Sequence, residues 1–216
     1  HSQAVYKALN SENLEDARCK VGLIVGRDTA DLSEKEVARA AVESVAESLV
    51  DGVTAPLFYA FLFGPAGAMA YKAINTADSM FGYKNARYRD FGWAGARLDD
   101  LANFIPARIT SFLIPVAAFL LGLNGRNSWR ILLRDRKNHA SPNSGHTEAA
   151  VAGALEVQLG GSNIYFGKVV KKPTIGNDSQ QITPRHILLT NRLMLATTIL
   201  ATLILTPFSI IIMCTS

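Results

Sequence analysis

The feature that most constrains the fold of this chain is an uncharged apolar run close to its end. Residues Leu193–Met213 (LMLATTILATLILTPFSIIIM) contain no charged side chain, and only Pro207 interrupts their helical character. An α-helix needs about 20 consecutive apolar residues to cross the hydrocarbon core of a bilayer. The run therefore predicts a transmembrane helix. Charged residues make up only 19% of the chain, against about 25% in soluble domains, which favours further segments that face lipid.

Two earlier segments are also apolar enough to enter a membrane. The first, Val53–Tyr71, is uncharged but contains two prolines and two glycines, so it forms either one kinked helix or two half-helices. The second, Phe104–Leu123, carries Arg108 one turn inside its start. That side chain either snorkels to the membrane surface or faces a polar cavity. We expect both segments to be membrane-embedded, with a buried core helix as the alternative for the second.

The rest of the chain is polar, and much of it has a helical pattern. Region 12–50 contains the string SEKE from Ser33 onwards, which has the form of a capping box and precedes a run of strong helix formers. Region 124–192 contains turn signals and one predicted helix, Glu148–Leu159. Within it, Lys168–Pro184 lacks periodicity and predicts a surface loop.

Together these segments predict a single domain over residues 1–216. Its fold class is an all-α, polytopic integral membrane protein with polar helices and loops between apolar segments. The two cysteines, Cys19 and Cys214, lie near opposite ends of the chain, which excludes a disulfide scaffold or a zinc module. A net charge of +4 without a basic face gives no footprint for nucleic acid. The string GRDT from Gly26 lacks the glycine spacing and the terminal Lys-Ser/Thr of a Walker phosphate loop.

Four charged residues recur every fourth position on the helix predicted after Ser33. Arg39, Glu43, Glu47 and Asp51 therefore lie along one stripe of that helix. The stripe is either a solvated face, stabilised by an ion pair between Arg39 and Glu43, or a ladder of carboxylates for a divalent cation. Its position directly before an apolar segment favours the second interpretation, because unpaired carboxylates are costly there.

Two further polar blocks follow the first apolar segment. Asn75, Asp78 and Ser79 recur at helical spacing, and a dense run of mixed charge follows them. Arginine and lysine are the side chains that hold phosphate, although an ordinary surface loop would have the same composition. The second block provides oxygen ligands that suit magnesium, which commonly takes one or two carboxylates together with substrate phosphates. The residues of the mixed run are Lys84, Asn85, Arg87, Tyr88, Arg89 and Asp90, and those of the second block are Arg97, Asp99, Asp100 and Asn103.

The histidines of region 124–192 match no metal-binding motif. His139 and His146 flank a Ser-Pro-Asn turn, and Glu148 follows closely. Their spacing does not correspond to a known zinc pattern. We expect these residues to have structural or substrate-contacting roles.

Three ordered strings resemble one protein family. They are GRDTADLSEKEVARAAVESVAESLVDGVTAPLFYAF, NTADSMFGYKNARYRDFGWAGARLDDLANFIPARIT and SPNSGHTEAAVAGALEVQLGGSNIYFG. Together they resemble the cobalamin-biosynthesis membrane proteins known as CobD or CbiB, the adenosylcobinamide-phosphate synthases, over about residues 13–167. That family normally has further membrane segments before the GRDT string. The chain begins at His1 without them, and we expect it to be the later part of a longer protein.

The resemblance implies an ATP-dependent ligase that forms an amide. It would join the carboxylate of adenosylcobyric acid to (R)-1-amino-2-propanol or its O-phosphate, and release adenosylcobinamide or its phosphate. A carboxylate does not react with an amine until its oxygen becomes a good leaving group, so phosphoryl transfer from ATP is the natural first step. Such a site needs Mg²⁺ on the nucleotide, cations for phosphates and a base near the amine. The expected partners are these substrates, the lipid membrane and other enzymes of nucleotide-loop assembly.

The residues assigned to the site are those that lie in the three matching strings, and the role of each residue is inferred from its charge and spacing. Either Glu43, Glu47 and Asp51 or Asp78, Asp99 and Asp100 would hold magnesium. The predicted sets are catalytic residues Glu43, Glu47, Asp51 and Asp78; metal ligands Asp99 and Asp100; and substrate- or phosphate-binding residues Arg27, Asp28, Asn75, Lys84, Arg87, Tyr88, Arg97, Asn103 and Asn143.

A different class of function fits the same composition. A multi-pass membrane protein could bind or transport a polar solute without catalysis, with Arg108 and the carboxylate stripe lining its path. The ligase would keep its polar blocks on the cytoplasmic side, where ATP is found. Both regions that flank Phe104–Leu123 are basic, so we expect that segment to be re-entrant or packed within the protein, or the first segment to be broken.

Overall fold

The computed structural model of the chain describes residues 1–81 and 89–215, and it describes the side chains of these residues except 81, 89–91 and 208–215. Helices dominate, and one hairpin of two strands follows the eighth helix. The helices are α1 Ser2–Asn10, α2 Leu14–Gly22, α3 Glu34–Leu49, α4 Ala55–Phe81, α5 Arg89–Ala102, α6 Phe104–Leu120, α7 Gly125–Asp135, α8 Ser144–Leu155 and α9 Pro184–Thr215, and the strands are β1 Leu159–Tyr165 and β2 Lys168–Ile175.

Helix α3 begins as the sequence predicts. The hydroxyl of Ser33 accepts the N–H of Glu36, and the Glu36 carboxylate accepts the N–H of Ser33, at 3.4 and 2.9 Å. The capping box is thus confirmed. After Leu49 the chain widens into one π-helical turn, Val50–Thr54, and continues into α4. π-Helical turns are rare inside helices and are frequent at functional sites.

The first apolar segment lies in α4 and is kinked. Gly64 has φ 66° and ψ −162°, so the helical path breaks immediately before Pro65. Only glycine adopts this region of backbone space readily, and the residue before a proline disfavours helical geometry. The broken first segment that the sequence allowed is therefore present, as two helical halves within α4.

Within residues 1–81 and 89–215, two helical stretches are long and apolar enough to cross a membrane. They are Glu34–Met80 and Pro184–Pro207, and a third span results if the bent pair Gly92–Ala102 and Phe104–Leu120 counts as one. The two helices of that pair meet at an angle of 47°, the geometry of a broken span or a re-entrant loop. These findings agree with a helical membrane protein. Both predicted paths of the middle segment, re-entrant in the membrane or packed within the protein, stay predictions.

The core forms where α1, α3, α6, α8 and α9 meet. Helix α3 contributes mainly small side chains, such as Ala38 and Ala41, which are fully buried and let neighbouring helices approach. Helix α9 begins at Pro184, earlier than the predicted start of the transmembrane run, because its first turns pack in the protein core through Ile187 and Leu193. The main core therefore lies around α3, and a smaller cluster joins Val50, Ala55, Tyr71, Ala102 and Ala107.

The all-α prediction is wrong in one place. Residues Lys168–Ile175, predicted to be part of a surface loop, form strand β2, which pairs antiparallel with β1. The two strands join through Phe166 and Gly167, which both have positive φ, at 51° and 73°, as a tight hairpin turn requires. The hairpin is attached to the helices through Leu159 and Ile175, which are buried in the main core.

The helix predicted at Glu148–Leu159 is displaced. Helix α8 occupies Ser144–Leu155 and ends where Glu156 adopts a left-handed conformation with φ 57°. Leu159 belongs to β1 instead. The predicted bounds were late because the Ser-Pro-Asn-Ser turn leads directly into the first helical residue.

Candidate functional site

Three neighbouring cavities contain most of the polar groups of interest, and α3 lines two of them. The acidic cavity, about 590 Å³, lies between the end of α3 and α4. The central cavity, about 270 Å³, lies between α3, the start of α8 and the hairpin. The basic cavity, about 580 Å³, lies between α6 and the segment that joins α7 to α8. Glu47 lines both the acidic and the central cavity, and His139 lines both the central and the basic cavity. Neighbouring cavities thus share a wall residue, and we refer to the row of three as the groove.

The acidic cavity brings together carboxylates from the two sets that the sequence offered as alternatives for magnesium. Glu47, Asp51 and Asp78 line it. Asp99 of α5 lies close enough to Asp51 and Asp78 for their charges to interact, and Asp100 is close to Asp78 in the same sense. Apart from Glu43, the carboxylates of the two predicted sets therefore lie near one another, contributed by α3, the π-helical turn, α4 and α5.

Amide side chains orient this cluster. Asn75 Nδ2 donates to Asp99 Oδ1 at 3.2 Å, and Asn103 Nδ2 donates to Asp99 Oδ2 at 2.9 Å. Tyr71 Oη donates to Asn103 Oδ1 at 2.9 Å, and Lys72 Nζ donates to Asn75 Oδ1 at 3.0 Å. Both oxygens of Asp99 are thus fixed by groups that are themselves held. Asn75 and Asn103, predicted to bind substrate or phosphate, thus contact Asp99 in this structure.

The cluster suits a cation that keeps part of its own coordination shell. Within the described part of the chain, no three His, Cys, Asp or Glu side chains converge closely enough to hold a metal ion by themselves. Magnesium usually keeps several waters and binds through one or two carboxylates together with substrate phosphates. The residues present therefore fit a magnesium ion carried in by a nucleotide, with Asp51, Asp78 and Asp99 as the nearest carboxylates.

Glu43 does not share this cluster, although it lies on the same predicted stripe. Its carboxylate forms an ion pair with Arg27 and accepts the N–H of Gly160 at 2.8 Å. Arg39 lies 3.9 Å from it, so the ion pair considered in the solvated-face interpretation is present. Arg27 also donates to Asn163 Oδ1 at 2.8 Å. These contacts connect α3 to β1, and Glu43 is buried among them.

Asp28 has a similar place in the structure. Its two carboxylate oxygens accept the N–H groups of Phe166 and Gly167 at 3.3 and 2.8 Å. The carboxylate thereby holds the hairpin turn and satisfies its exposed donors. Arg27 and Asp28, predicted to bind phosphate, both contact the hairpin in this structure, and Arg27 also lines the central cavity.

The central cavity contains His139 and Glu148, for which the sequence predicts structural or substrate-contacting roles. His139 Nε2 lies 3.6 Å from Glu148 Oε1, and His139 Nδ1 accepts the N–H of Ser141 at 3.0 Å. Burial, with the neighbouring charges of Glu43 and Glu47, raises the pKa of the Glu148 carboxyl well above its usual range. Burial also lowers the pKa of His139, so the imidazole is neutral at pH 7.

Lys172 also lines the central cavity, and the sequence analysis did not single it out. It lies on β2, in the segment that was predicted to be a loop. No motif marks it, and its position became meaningful only once the hairpin placed it opposite α3.

Two further predicted residues, Asn143 and Arg97, line none of the three cavities. Asn143 accepts a hydrogen bond from Arg108 at 3.2 Å and donates to the backbone oxygen of Asp100 at 2.8 Å, so it joins α5, α6 and the start of α8. The Arg97 side chain is 66% exposed and lies 3.7 Å from Asp100. Lys84, Arg87 and Tyr88, predicted to bind phosphate, lie outside the described residues, as does Asn85.

Comparison with known proteins decides the family. A family model described as CobD/Cbib protein matches residues 1–194. The chain belongs to the CobD/CbiB family. Proteins named cobalamin biosynthesis protein CobD are similar to it in Leptospira interrogans (57% identical over 200 residues, 93% of this chain and 64% of the relative), Geobacter metallireducens (62% over 176 residues, 82% and 55%) and Clostridium perfringens (52% over 190 residues, 88% and 60%). No solved structure matches the chain.

Membership in the CobD/CbiB family confirms the resemblance inferred from the three strings. The chain spans about 55–64% of the length of these relatives. The acidic and central cavities are built largely from the same strings, since Glu47 and Asp51 come from the first, Asp78 and Asp99 from the second, and Glu148 from the third. The groove is therefore the place where the matching parts of the sequence meet.

Proposed function

We propose that this chain carries the site of an ATP-dependent amide ligase in cobalamin biosynthesis. The substrates would be adenosylcobyric acid and (R)-1-amino-2-propanol or its O-phosphate, and the product adenosylcobinamide or its phosphate. One observation supports this most directly: in a member of the CobD/CbiB family, Glu47, Asp51 and Asp78 meet around one cavity, beside an Asp99 held by two asparagines.

The proposed chemistry has two steps. The corrinoid carboxylate attacks the γ-phosphorus of ATP, so that ADP leaves and an acyl phosphate forms. The amine nitrogen then attacks the acyl carbon, the C–O bond to phosphate breaks, and the nitrogen loses a proton. Magnesium, when bound, would neutralise charge on the nucleotide phosphates. Asp51, Asp78 and Asp99 would hold the water shell of that ion, and Asn75 and Asn103 would keep Asp99 in position.

Glu47 is the best-placed group to take the proton from the amine. Among the carboxylates that the structure describes, it alone lines both the acidic and the central cavity. It is solvent-exposed, and its contact with the hydroxyl of Ser144, at 3.4 Å, is long. An accessible carboxylate between the two cavities can receive a proton from an amine that attacks there. Glu43 is less suitable, because Arg27 and Gly160 occupy its oxygens.

The location of the site follows from its co-substrate. ATP is cytoplasmic, so the groove along α3 would face the cytoplasm, with α9 and the halves of α4 in the membrane. Further enzymes of nucleotide-loop assembly would receive the product. This arrangement requires the acidic cavity to lie near the membrane surface, where water and a charged nucleotide can enter.

The test is product formation in detergent. The purified chain, and the same chain joined to the further length that its relatives have, are incubated with cobyric acid, aminopropanol phosphate, magnesium and ATP. Amide product and ADP are detected by mass spectrometry. We expect ATP-dependent product, and a loss of more than about 100-fold in kcat for Glu47→Gln, in the range typical of a missing general base.

Glu34→Gln is the matched control, because Glu34 is an exposed glutamate on the same helix. It should leave product formation unchanged. Absence of product from both lengths of chain would refute the ligase. In that case, saturable binding of a corrinoid without ATP consumption would favour the solute-binding alternative.

A further inference from the structure

The basic cavity has no role in the steps described so far. It is lined by Arg108 and Phe112 of α6, by Arg136, Lys137, His139, Ala140 and Pro142 of the segment after α7, and by His146 of α8. No Asp or Glu is among the lining residues that the structure describes. Three side chains that are cationic at pH 7 therefore share a space of about 580 Å³, which is large enough for a small organic ligand.

Arg108 is held in place at one edge of this cavity. Its Nη1 donates to the backbone oxygen of Phe104 at 2.6 Å and to Asn143 Oδ1 at 3.2 Å. Its guanidinium carbon lies 3.3 Å from the centre of the Phe104 ring. A guanidinium fixed in this way has lost its conformational freedom in advance, so less entropy is lost when its other N–H groups bind a ligand.

The positive charges of the cavity lack a counter-charge from the described protein. Neither Arg108 nor Arg136 forms an ion pair with any described carboxylate. Burial, with the charges of Arg108 and Arg136, lowers the pKa of His146 to about 4. The charges of both guanidiniums therefore act on the His146 imidazole, and all three side chains line the same cavity.

We propose that the basic cavity binds a phosphate-bearing anion. Two guanidiniums and one ammonium around a single opening match the oxygen atoms of a phosphate ester or polyphosphate, which arginine engages through its planar fork. The inference deepens the proposed function and rests on it for the source of the phosphate, which would be the nucleotide or the phosphorylated amine. The headgroup of an anionic phospholipid has the same chemistry.

The position of the cavity supports this assignment. His139 joins it to the central cavity, and Glu47 joins the central cavity to the acidic one. The groove therefore has a negative end, suited to a cation, and a positive end, suited to an anion. A ligand with its phosphate at the basic end would extend towards Glu148 and Lys172 in the central cavity.

The test uses inorganic tripolyphosphate as the probe, without cobyric acid. Its binding to the purified chain in detergent is measured by isothermal titration calorimetry. We expect Arg108→Gln and Arg136→Gln to weaken binding about 10- to 100-fold each, the effect of losing one charge-assisted contact. Lys137→Gln should weaken it less. Lys137 is exposed, so this variant tests the cavity without endangering the fold. Arg130→Gln, at an exposed arginine of α7, is the matched control and should bind as the unaltered chain does.

A second measurement follows the His146 imidazole by NMR. Bound tripolyphosphate should raise the pKa of His146 from about 4, because the anion offsets the two arginines. The Arg130→Gln chain without the probe should keep the low pKa, and thermal unfolding of the same samples shows whether the fold has loosened. Absence of tripolyphosphate binding, or an equal loss in Arg130→Gln, would overturn the proposal.

The source of the phosphate is found by competition. ATP, aminopropanol phosphate and nanodiscs containing phosphatidylglycerol are each tested for displacement of tripolyphosphate, with phosphatidylcholine nanodiscs as the control. Displacement by any of the three supports a phosphate site and names its ligand. Amide product from a chain that binds no tripolyphosphate would overturn the site alone. Binding without product from either length of chain would leave the site and refute the ligase.

Discussion

Replacing Glu43 by glutamine separates a structural role for this carboxylate from a catalytic one. In the structure Glu43 and Arg27 form an ion pair with only 9% and 8% of their side chains exposed. The change removes the negative charge but keeps an oxygen that can accept the N–H of Gly160. It leaves the guanidinium of Arg27 buried, with Asn163 as its remaining partner in this set.

The expected cost follows from this loss of partner. Removing one member of a buried ion pair costs about 3–5 kcal/mol, because the other charge stays buried without compensation. The hydrogen bond from Arg27 to Asn163 remains, so we expect the lower end, about 3 kcal/mol. For a chain of this size each kcal/mol lowers Tm by about 2–4 °C, which predicts a fall of about 6–12 °C for Glu43→Gln.

The assay is thermal unfolding in detergent, followed by circular dichroism. Glu34→Gln on the same helix is the control and should cost less than about 1 kcal/mol. The double variant Arg27→Gln/Glu43→Gln should lose less stability than the sum of the two single variants. Each single variant leaves one charge of this ion pair buried without its partner, whereas the double variant removes both charges. A Glu43→Gln chain with unchanged Tm and no product formation would refute this reasoning and restore the catalytic role predicted from sequence.

Three further predictions concern the same assembly. Gly153→Ala should lower the free energy of unfolding by about 1–3 kcal/mol in chemical denaturation, because its Cβ would lie 2.7 Å from backbone atoms of α7. A Cβ at Gly52 would meet nothing within 4 Å, so Gly52→Ala should be tolerated. Burial and two arginines lower the pKa of His146 to about 4, so between about pH 6.5 and 4 the unfolded chain binds one proton that the folded chain does not. Stability should therefore fall on acidification through that range, and His146→Gln should flatten the pH profile of Tm. Asp135→Asn should cost about 1–3 kcal/mol in the same denaturation assay. The amide keeps one oxygen for the N–H of Gly176, but it places an NH₂ group where the second carboxylate oxygen accepts from Arg134.

Sequence patterns predicted α3 and α9, placed α8 too late in the chain, and predicted neither α7 nor the hairpin. The apolar run of α9 and the capping box of α3 are local signals, set by composition and by residues three positions apart. Strand β2 has no such signal, because its sequence KVVKKPTI is charged and contains a proline. Contacts with residues far away in the chain hold the hairpin instead, such as that of Asp28 with Gly167 of the turn and that of Arg39 with Gly160 of β1.

The site was predicted as a set of residues and not as an arrangement. Charge and spacing left two alternative magnesium sets, because α3, α4 and α5 are separate segments whose packing no local pattern determines. The structure brings most of both sets around one cavity. Glu43 is the exception, and its partner Arg27 lies 16 positions earlier in a loop, where helical periodicity has no bearing.

The distribution of charge along the groove places a condition on any ligase mechanism there. A nucleotide with its magnesium and a second substrate with a phosphate carry negative charge that must be kept apart until the carboxylate is activated. Carboxylates at one end favour the phosphates that arrive with a cation, whereas arginines at the other end favour phosphates that arrive without one. Glu47 and His139 stand at the two boundaries of the central cavity. Bond formation would therefore take place between them, where burial and the charges of Glu43 and Glu47 raise the pKa of Glu148 and so favour the uncharged carboxyl, which repels an acyl phosphate less.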